Sequence, residues 1–166
     1  DDIELIITTE KQYVSRAAAK LLKAIGHFKI EVKGKNCIDL GASTGGFCEV
    51  LHDAGAAKIY AVDVGHSQLD ARIKPLVINL ENTNCKDLDK NIIPDEIDLI
   101  VCDVSFISLN KIIGPLLGVL QTPSSLLVLV KPQFELPREM IEDGGVVSST
   151  EAQLQAVAQV ADYCRT

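Results

Sequence analysis

The 166-residue chain has no apolar run long enough to span a bilayer. Runs such as Ser125 to Val130 stop early, that one at Lys131, whereas a membrane-crossing helix needs about 20 apolar residues. A CxxC pair is also missing. The five cysteines, at 37, 48, 85, 102 and 164, are scattered and three lie in or beside apolar runs. They read as small buried residues of a reducing, cytoplasmic compartment, not as a disulfide frame or a zinc site. His27, His52 and His66 have no ligand spacing, so no metal is expected. The residues given show no charged, apolar, small-residue pattern of an export signal. Positive charge is in deficit: with 16 Lys and Arg against 23 Asp and Glu the net charge is −7. Bulk electrostatics therefore cannot grip a polynucleotide, and any such affinity must come from a local patch or another domain.

What the chain does have is the composition of a globular protein, 47% hydrophobic and 23% charged, at a length that fits one domain. Residues 1–9 read as the remnant of a linker, and 10–166 as the domain. From Glu10 to Ile25 the apolar positions Val14, Ala17, Ala18, Leu21, Leu22 and Ile25 have helical spacing. Short apolar runs at 36–40, 58–63, 76–80, 97–102 and 125–131 read as strands. Helical stretches at 46–54, 67–73, 105–120 and 150–164 lie between and after them, the last opening with a Ser148/Glu151 capping box. This alternation predicts an α/β fold, a mostly parallel sheet with helices on both faces. Folds of this kind usually continue beyond a helix such as 150–164, so further carboxyl-terminal strands are expected to be missing.

The first strand breaks into a glycine turn, Asp39-Leu40-Gly41-Ala42-Ser43-Thr44-Gly45-Gly46-Phe47. Glycines allow a tight turn and close approach of a ligand to the backbone, and N–H groups at the following helix start would face that ligand. Open α/β sheets hold nucleotide-like cofactors at such strand ends. The second strand ends in Asp63, about twenty residues on, as expected of a carboxylate that accepts from ribose hydroxyls. The turn lacks the G-x-G-x-x-G that makes room for a pyrophosphate. Asp39 is a poor neighbour for phosphates and a reasonable one for an amino-acid cation. S-adenosylmethionine therefore fits better than a dinucleotide, with Val64 beside Asp63 and with Asn84, then Asp87, as candidates for the adenine edge.

Asp103 ends the fourth strand and Lys131 the fifth, so a carboxylate and a lysine would meet at neighbouring strand tips. Arg16 and Lys20, four residues apart, would share a helix face.

Tyr13-Val14-Ser15-Arg16 with Lys20, the segment 39–47, Ala61-Val62-Asp63-Val64-Gly65 with Gln68-Leu69, Asp103 to Leu109, and Lys131-Pro132-Gln133-Phe134-Glu135 stand in a characteristic order. In these motifs, and in Gly144-Gly145-Val146-Val147, the chain resembles the TlyA (hemolysin A) family of ribosomal RNA methyltransferases within the FtsJ-like group. The resemblance covers about residues 10 to 150. It implies a Rossmann-like S-adenosylmethionine-dependent methyltransferase fold and methyl transfer to a ribose 2′-hydroxyl of ribosomal RNA. Three members of a Lys–Asp–Lys–Glu set map onto Lys20, Asp103 and Lys131, while the fourth has no counterpart here and Glu135 belongs to a different motif. The resemblance further implies RNA contacts by Arg16 and Lys20, and an amino-terminal S4 RNA-binding domain that this chain lacks. The competing readings are a membrane-active hemolysin and a non-catalytic S-adenosylmethionine-binding factor of ribosome assembly.

Overall fold

The computed structural model describes residues 11–165, with only the backbone of Gln121 and Thr122. The expected linker at 1–9 lies outside the described residues. Five strands, β1 (Asn36–Leu40), β2 (Lys58–Val62), β3 (Ile78–Leu80), β4 (Ile97–Cys102) and β5 (Leu120–Val128), form one sheet in the order β3-β2-β1-β4-β5. Every pairing is parallel. From β1 the chain first steps to one side, through β2 to β3, and then crosses to β4 and β5 on the other. That reversal beside β1 and β4 is where open α/β sheets leave a crevice at the carboxyl ends of their strands.

β1, β2 and β4 read as continuous apolar runs because both of their faces are covered. On one face α1 (Ala18–Phe28) and α2 (Gly46–Asp53) bury Ala18, Leu21, Cys48 and Leu51 against Cys37, Ile59, Leu99 and Val101. On the other, α3 (Asn110–Leu116) and α5 (Thr150–Tyr163) bury Ile112, Leu116 and Val160 against Ile38, Leu40, Ile100 and Cys102. A short α4 (Pro132–Glu135) follows β5. The fold is thus the expected parallel sheet with helices on both faces.

Several element boundaries differ from the sequence expectation, each for a local reason. The first helix starts at Ala18 rather than Glu10 and runs on to Phe28, because the backbone N–H of Val14 is drawn to Glu49 (2.8 Å). No helix forms at 67–73. There Glu81 accepts from the N–H groups of Gln68 (2.7 Å) and Leu69 (3.2 Å), Asp70 accepts from that of Arg72 (2.8 Å), and Pro75 follows in a short 3-10 turn, Lys74–Leu76. Side chains that satisfy backbone amides in this way compete with helix. The Asn79 amide and these backbone amides hold the Glu81 carboxyl down at about 2. Within 105–120 only α3 is helical. Glu135 accepts from the Ser108 hydroxyl (2.7 Å) and the Leu109 N–H (2.9 Å), and Leu120 already belongs to β5. β5 therefore starts and ends earlier than expected, and Lys131 lies just past it, capping α4. The cap of α5 is Ser149, accepting from the Ala152 N–H (3.3 Å), while Ser148 bonds Glu142 instead.

Candidate active site

The glycine turn between β1 and α2 has its backbone set by positive φ angles and close approaches. Gly41 (φ 79°) passes the end of β4 so tightly that a Cβ would sit 3.0 Å from the carbonyl oxygen of Asp103. Gly45 (φ 93°) packs under Leu69 and Ile73, where a Cβ would come within 2.9 and 2.8 Å of their side chains. Ser43 also takes a left-handed conformation (φ 47°). Its N–H donates to Asp63 (2.8 Å), whose other oxygen accepts from the Gly65 N–H (2.8 Å). Asp63 therefore clamps the turn to the end of β2, and each oxygen retains a further acceptor site for a ligand hydroxyl.

Two hollows flank this turn. The larger, about 530 Å³, runs between the ends of β2 and β4 and is lined by Asp63, Val64, Gln68, Thr83 and Asn84 on one side and by Val104, Phe106 and Ile107 on the other. The smaller, about 210 Å³, is lined by Ser15, Lys20, Ala42, Thr44, Gly46, Phe47 and Lys131. Gly41, Ser43, Asp103 and Ser105 border both, so the two form a continuous crevice around the turn.

At their junction stands Asp103. One carboxylate oxygen pairs with the Lys20 ammonium (2.8 Å) and the other with that of Lys131 (2.7 Å). Lys131 also donates to the Ser105 hydroxyl (2.8 Å). Burial alone would raise the Asp103 carboxyl, but the hydrogen bonds and charges of Lys131 and Lys20 outweigh it and hold the group below its ordinary range. The three residues come from separate elements: Lys20 from α1, Asp103 from the end of β4, and Lys131 from the segment beyond β5.

Among the remaining candidates, Ala42, Ser43, Thr44, Gly46, Phe47, Val64 and Asn84 face the crevice, although the Asn84 side chain also caps its own turn through the Lys86 N–H (3.1 Å). Gly45 lies behind it, and Arg16 is exposed beside it. Asp87 lines neither hollow. Asp39 does not line them either: it is 0% exposed beneath the turn. One of its oxygens accepts from the Cys48 thiol (3.0 Å), and the other is buried without a partner among the described residues. Burial pushes the Asp39 carboxyl up to about 7, against the lowering hydrogen bonds of Cys48 and with a further raise from Asp103 and Asp63. Sequence reasoning gave no site role to Ser15, Gln68, Ser105 or Phe106, although all four lie within the quoted motifs and line the crevice. Ser105 had a signal in its place two residues after Asp103. Phe106 is 90% exposed at the rim, in a left-handed conformation (φ 65°), its ring 5.3 Å from that of Phe134. Among the described residues no group of His, Cys, Asp and Glu side chains is placed to hold a metal ion, and no helix is long and apolar enough to cross a membrane.

A parallel sheet with its crevice at this switch point, a glycine turn and a terminal acid on β2 is the architecture of a nucleotide-cofactor enzyme. The same fold occurs in an S-adenosylmethionine-dependent methyltransferase from Mesorhizobium loti, at a TM-score of 0.56 and 18% identity over 82% of this chain and 78% of that one. Residues 13–166 match the FtsJ-like methyltransferase family, and the chain belongs to it. It is 42% identical over 161 residues to the 16S/23S rRNA (cytidine-2′-O)-methyltransferase TlyA of Mycobacterium tuberculosis, covering 96% of this chain and 60% of that protein. The crystal structure of a candidate hemolysin from Lactococcus lactis superposes with a TM-score of 0.88 at 35% identity, over 93% of this chain and 75% of that one. The chain thus spans 60% of the length of the Mycobacterium relative.

Proposed function

We propose that this chain is the catalytic part of an S-adenosylmethionine-dependent methyltransferase that modifies a ribose 2′-hydroxyl of ribosomal RNA. The observation that carries this reading is the bridge of Lys20 and Lys131 by the two oxygens of Asp103, at the junction of the two hollows. Family membership and the likeness to an rRNA 2′-O-methyltransferase support it. A ribosomal substrate in turn implies a cytoplasmic protein.

The crevice suits the methyl donor. Its larger arm has apolar walls at Val64, Val104 and Ile107 with an acceptor, Asp63, on one side, which matches an adenosine. The close packing at Gly41 keeps the turn free of side chains where a ligand would cross from one arm to the other. S-adenosylmethionine, when bound, supplies a sulfonium methyl open to in-line displacement. The protein's own contribution is positional and electrostatic. Lys131, fixed by Asp103 and Ser105, directs its remaining N–H at the incoming hydroxyl and favours the negative charge that grows on the oxygen as the hydroxyl proton passes to solvent water. Asp103 holds Lys131 in place, and Lys20 completes the pair on the RNA side. Positioning of this kind contributes on the order of 7–11 kcal/mol at best.

The full-length protein is expected to place methyl groups on ribose 2′-oxygens, read by mass mapping of ribosomal RNA from cells with and without the gene. Lys131→Ala should abolish incorporation while calorimetry still shows S-adenosylmethionine binding. Undiminished turnover in that variant overturns the assignment. Cofactor binding without methyl incorporation by the wild type favours an assembly factor, and lysis of cells by purified protein without methyl donor favours a membrane-active one.

A further inference from the structure

From Lys11 to Ile30 the chain carries five Lys or Arg residues and no acid, although acids outnumber bases over the whole sequence. Helix α1 arranges part of this charge in a line. Lys20, Lys23 and His27 follow each other by three and four residues, which places them within an arc of about 60° on the helix surface. Arg16, in the turn that opens α1, extends the line at its start, whereas Lys29, at the left-handed end of the helix (φ 52°), comes nine residues after Lys20 and so lies half a turn round from it. All five are exposed. Several other surface cations are neutralised within the fold: Lys11 by Asp53 and Glu49, Lys58 by Asp95, Arg72 by Asp70 and Arg165 by Asp162. Arg16, Lys23 and Lys29 have no such ion pair among the described residues. The aromatic face of Phe28, well exposed and packed edge-on against His27 (4.8 Å between centroids), lies beside the far end.

We infer that this stripe is a docking track for the sugar–phosphate backbone of the substrate RNA, leading from Arg16 and the catalytic crevice at Lys20 along α1 to His27. The inference rests on the proposed RNA methyltransferase activity and adds the path of the strand. From Lys20 to His27 the helix rises about 10 Å, the distance spanned by about three phosphates of a stacked strand at ~3.4 Å each. Opposite charge is what selects the partner. A chain of net charge −7 gives a polyanion little attraction overall, so a line of exposed cations beside the crevice is where a strand would be held. Lys20 is shared by the track and the Asp103 bridge, so a strand following the track delivers its ribose to the crevice.

The test uses the full-length protein with purified 16S and 23S ribosomal RNA, and an Arg16→Gln/Lys23→Gln double variant. Both residues are exposed and have no ion pair among the described residues, so Gln removes their charge without breaking a contact of the fold. Filter binding over a series of KCl concentrations should show the slope of log affinity against log salt falling by about 0.7–0.9 for each phosphate that is no longer neutralised. The KM for RNA should rise while the Kd for S-adenosylmethionine stays at the wild-type value. Lys111→Gln, on the opposite face of the sheet, is the single-charge control and should bind RNA like the wild type. An unchanged slope and KM in the double variant, with methyl transfer intact in the wild type, overturns the track and leaves the active-site reading standing. Wild-type protein that binds RNA through the stripe but transfers no methyl group overturns the catalytic reading alone. Loss of binding to phosphatidylglycerol vesicles with RNA binding untouched assigns the stripe to a membrane and also overturns the track.

Discussion

Replacing Asp39 by Asn should change how the stability of the domain responds to pH. Asp39 is fully buried beneath the glycine turn, and its carboxyl is raised from an ordinary 3.8 to about 7. An acid whose folded value is raised favours the native state in its protonated form. Its penalty is absent below about pH 4, grows through the window from 4 to 7, and is constant above it. At about 1.36 kcal/mol per unit of pKa shift, the integrated penalty is about 2 kcal/mol at pH 5 and about 4 kcal/mol at pH 8. Wild-type protein should therefore lose about 2–3 kcal/mol between those two conditions on account of this group. Asn cannot ionise and still accepts a hydrogen bond from the Cys48 thiol. Urea denaturation of both proteins across the range, compared as differences, cancels every other titrating group. The curves should diverge by that amount, the wild type falling relative to the variant as pH rises. Parallel curves would show that Asp39 is ionised at no unusual cost and would refute the reasoning. Cys48→Ala supplies a second check: it removes the thiol hydrogen bond that favours the charged carboxylate, leaving the backbone one, so the drop should extend to higher pH than in the wild type.

Two further substitutions probe the turn and the loop that carry the crevice. Gly45→Ala should destabilise the domain by about 1–3 kcal/mol, from a left-handed backbone at φ 93° together with approaches under 3.0 Å to Ile73 and Leu69. Calorimetry should also show weaker S-adenosylmethionine binding, since the turn must shift to relieve the clash. Glu135→Ala leaves the Ser108 hydroxyl and the Leu109 N–H without their acceptor, a loss of about 1–3 kcal/mol. It should loosen the segment from Asp103 to Leu109, so hydrogen exchange at Leu109 should rise well above the wild-type rate while the strands keep theirs.

The fold was legible where burial alone decides structure. Val101, Ile100 and Leu99 are apolar because β4 is covered on both faces, and no distant residue had to be known to read a strand there. The meeting of Asp103 with Lys131 could be anticipated from strand tips, while Lys20, read from the residues only as sharing a helix face with Arg16, joined them through the family resemblance. The misread stretches share a cause. Glu81 takes the amides of Gln68 and Leu69 from 13 and 12 residues away, and Glu135 takes that of Leu109 from 26 away. Helical periodicity in 67–73 and at 105–109 was overridden by carboxylates that local patterns cannot see. Asp39 was misjudged in the same way. Its neighbours along the chain suggest a cofactor contact, but β1 turns the side chain under α2, where Cys48 holds it. Ser105 lay inside a recognised motif, and only the geometry of Lys131 gives it a task.

Lys20 and Asp103 lie 83 residues apart in the chain, and Lys131 follows later still. During synthesis the Asp103 carboxylate emerges into a domain that has its glycine turn but only one of its two lysines. The second arrives only after β5 has been made, on the far side of β4. No shorter intermediate carries the complete charge bridge, whatever cofactor it has gathered. A chain stalled before Lys131 therefore lacks one of the two ammonium groups that the Asp103 carboxylate holds.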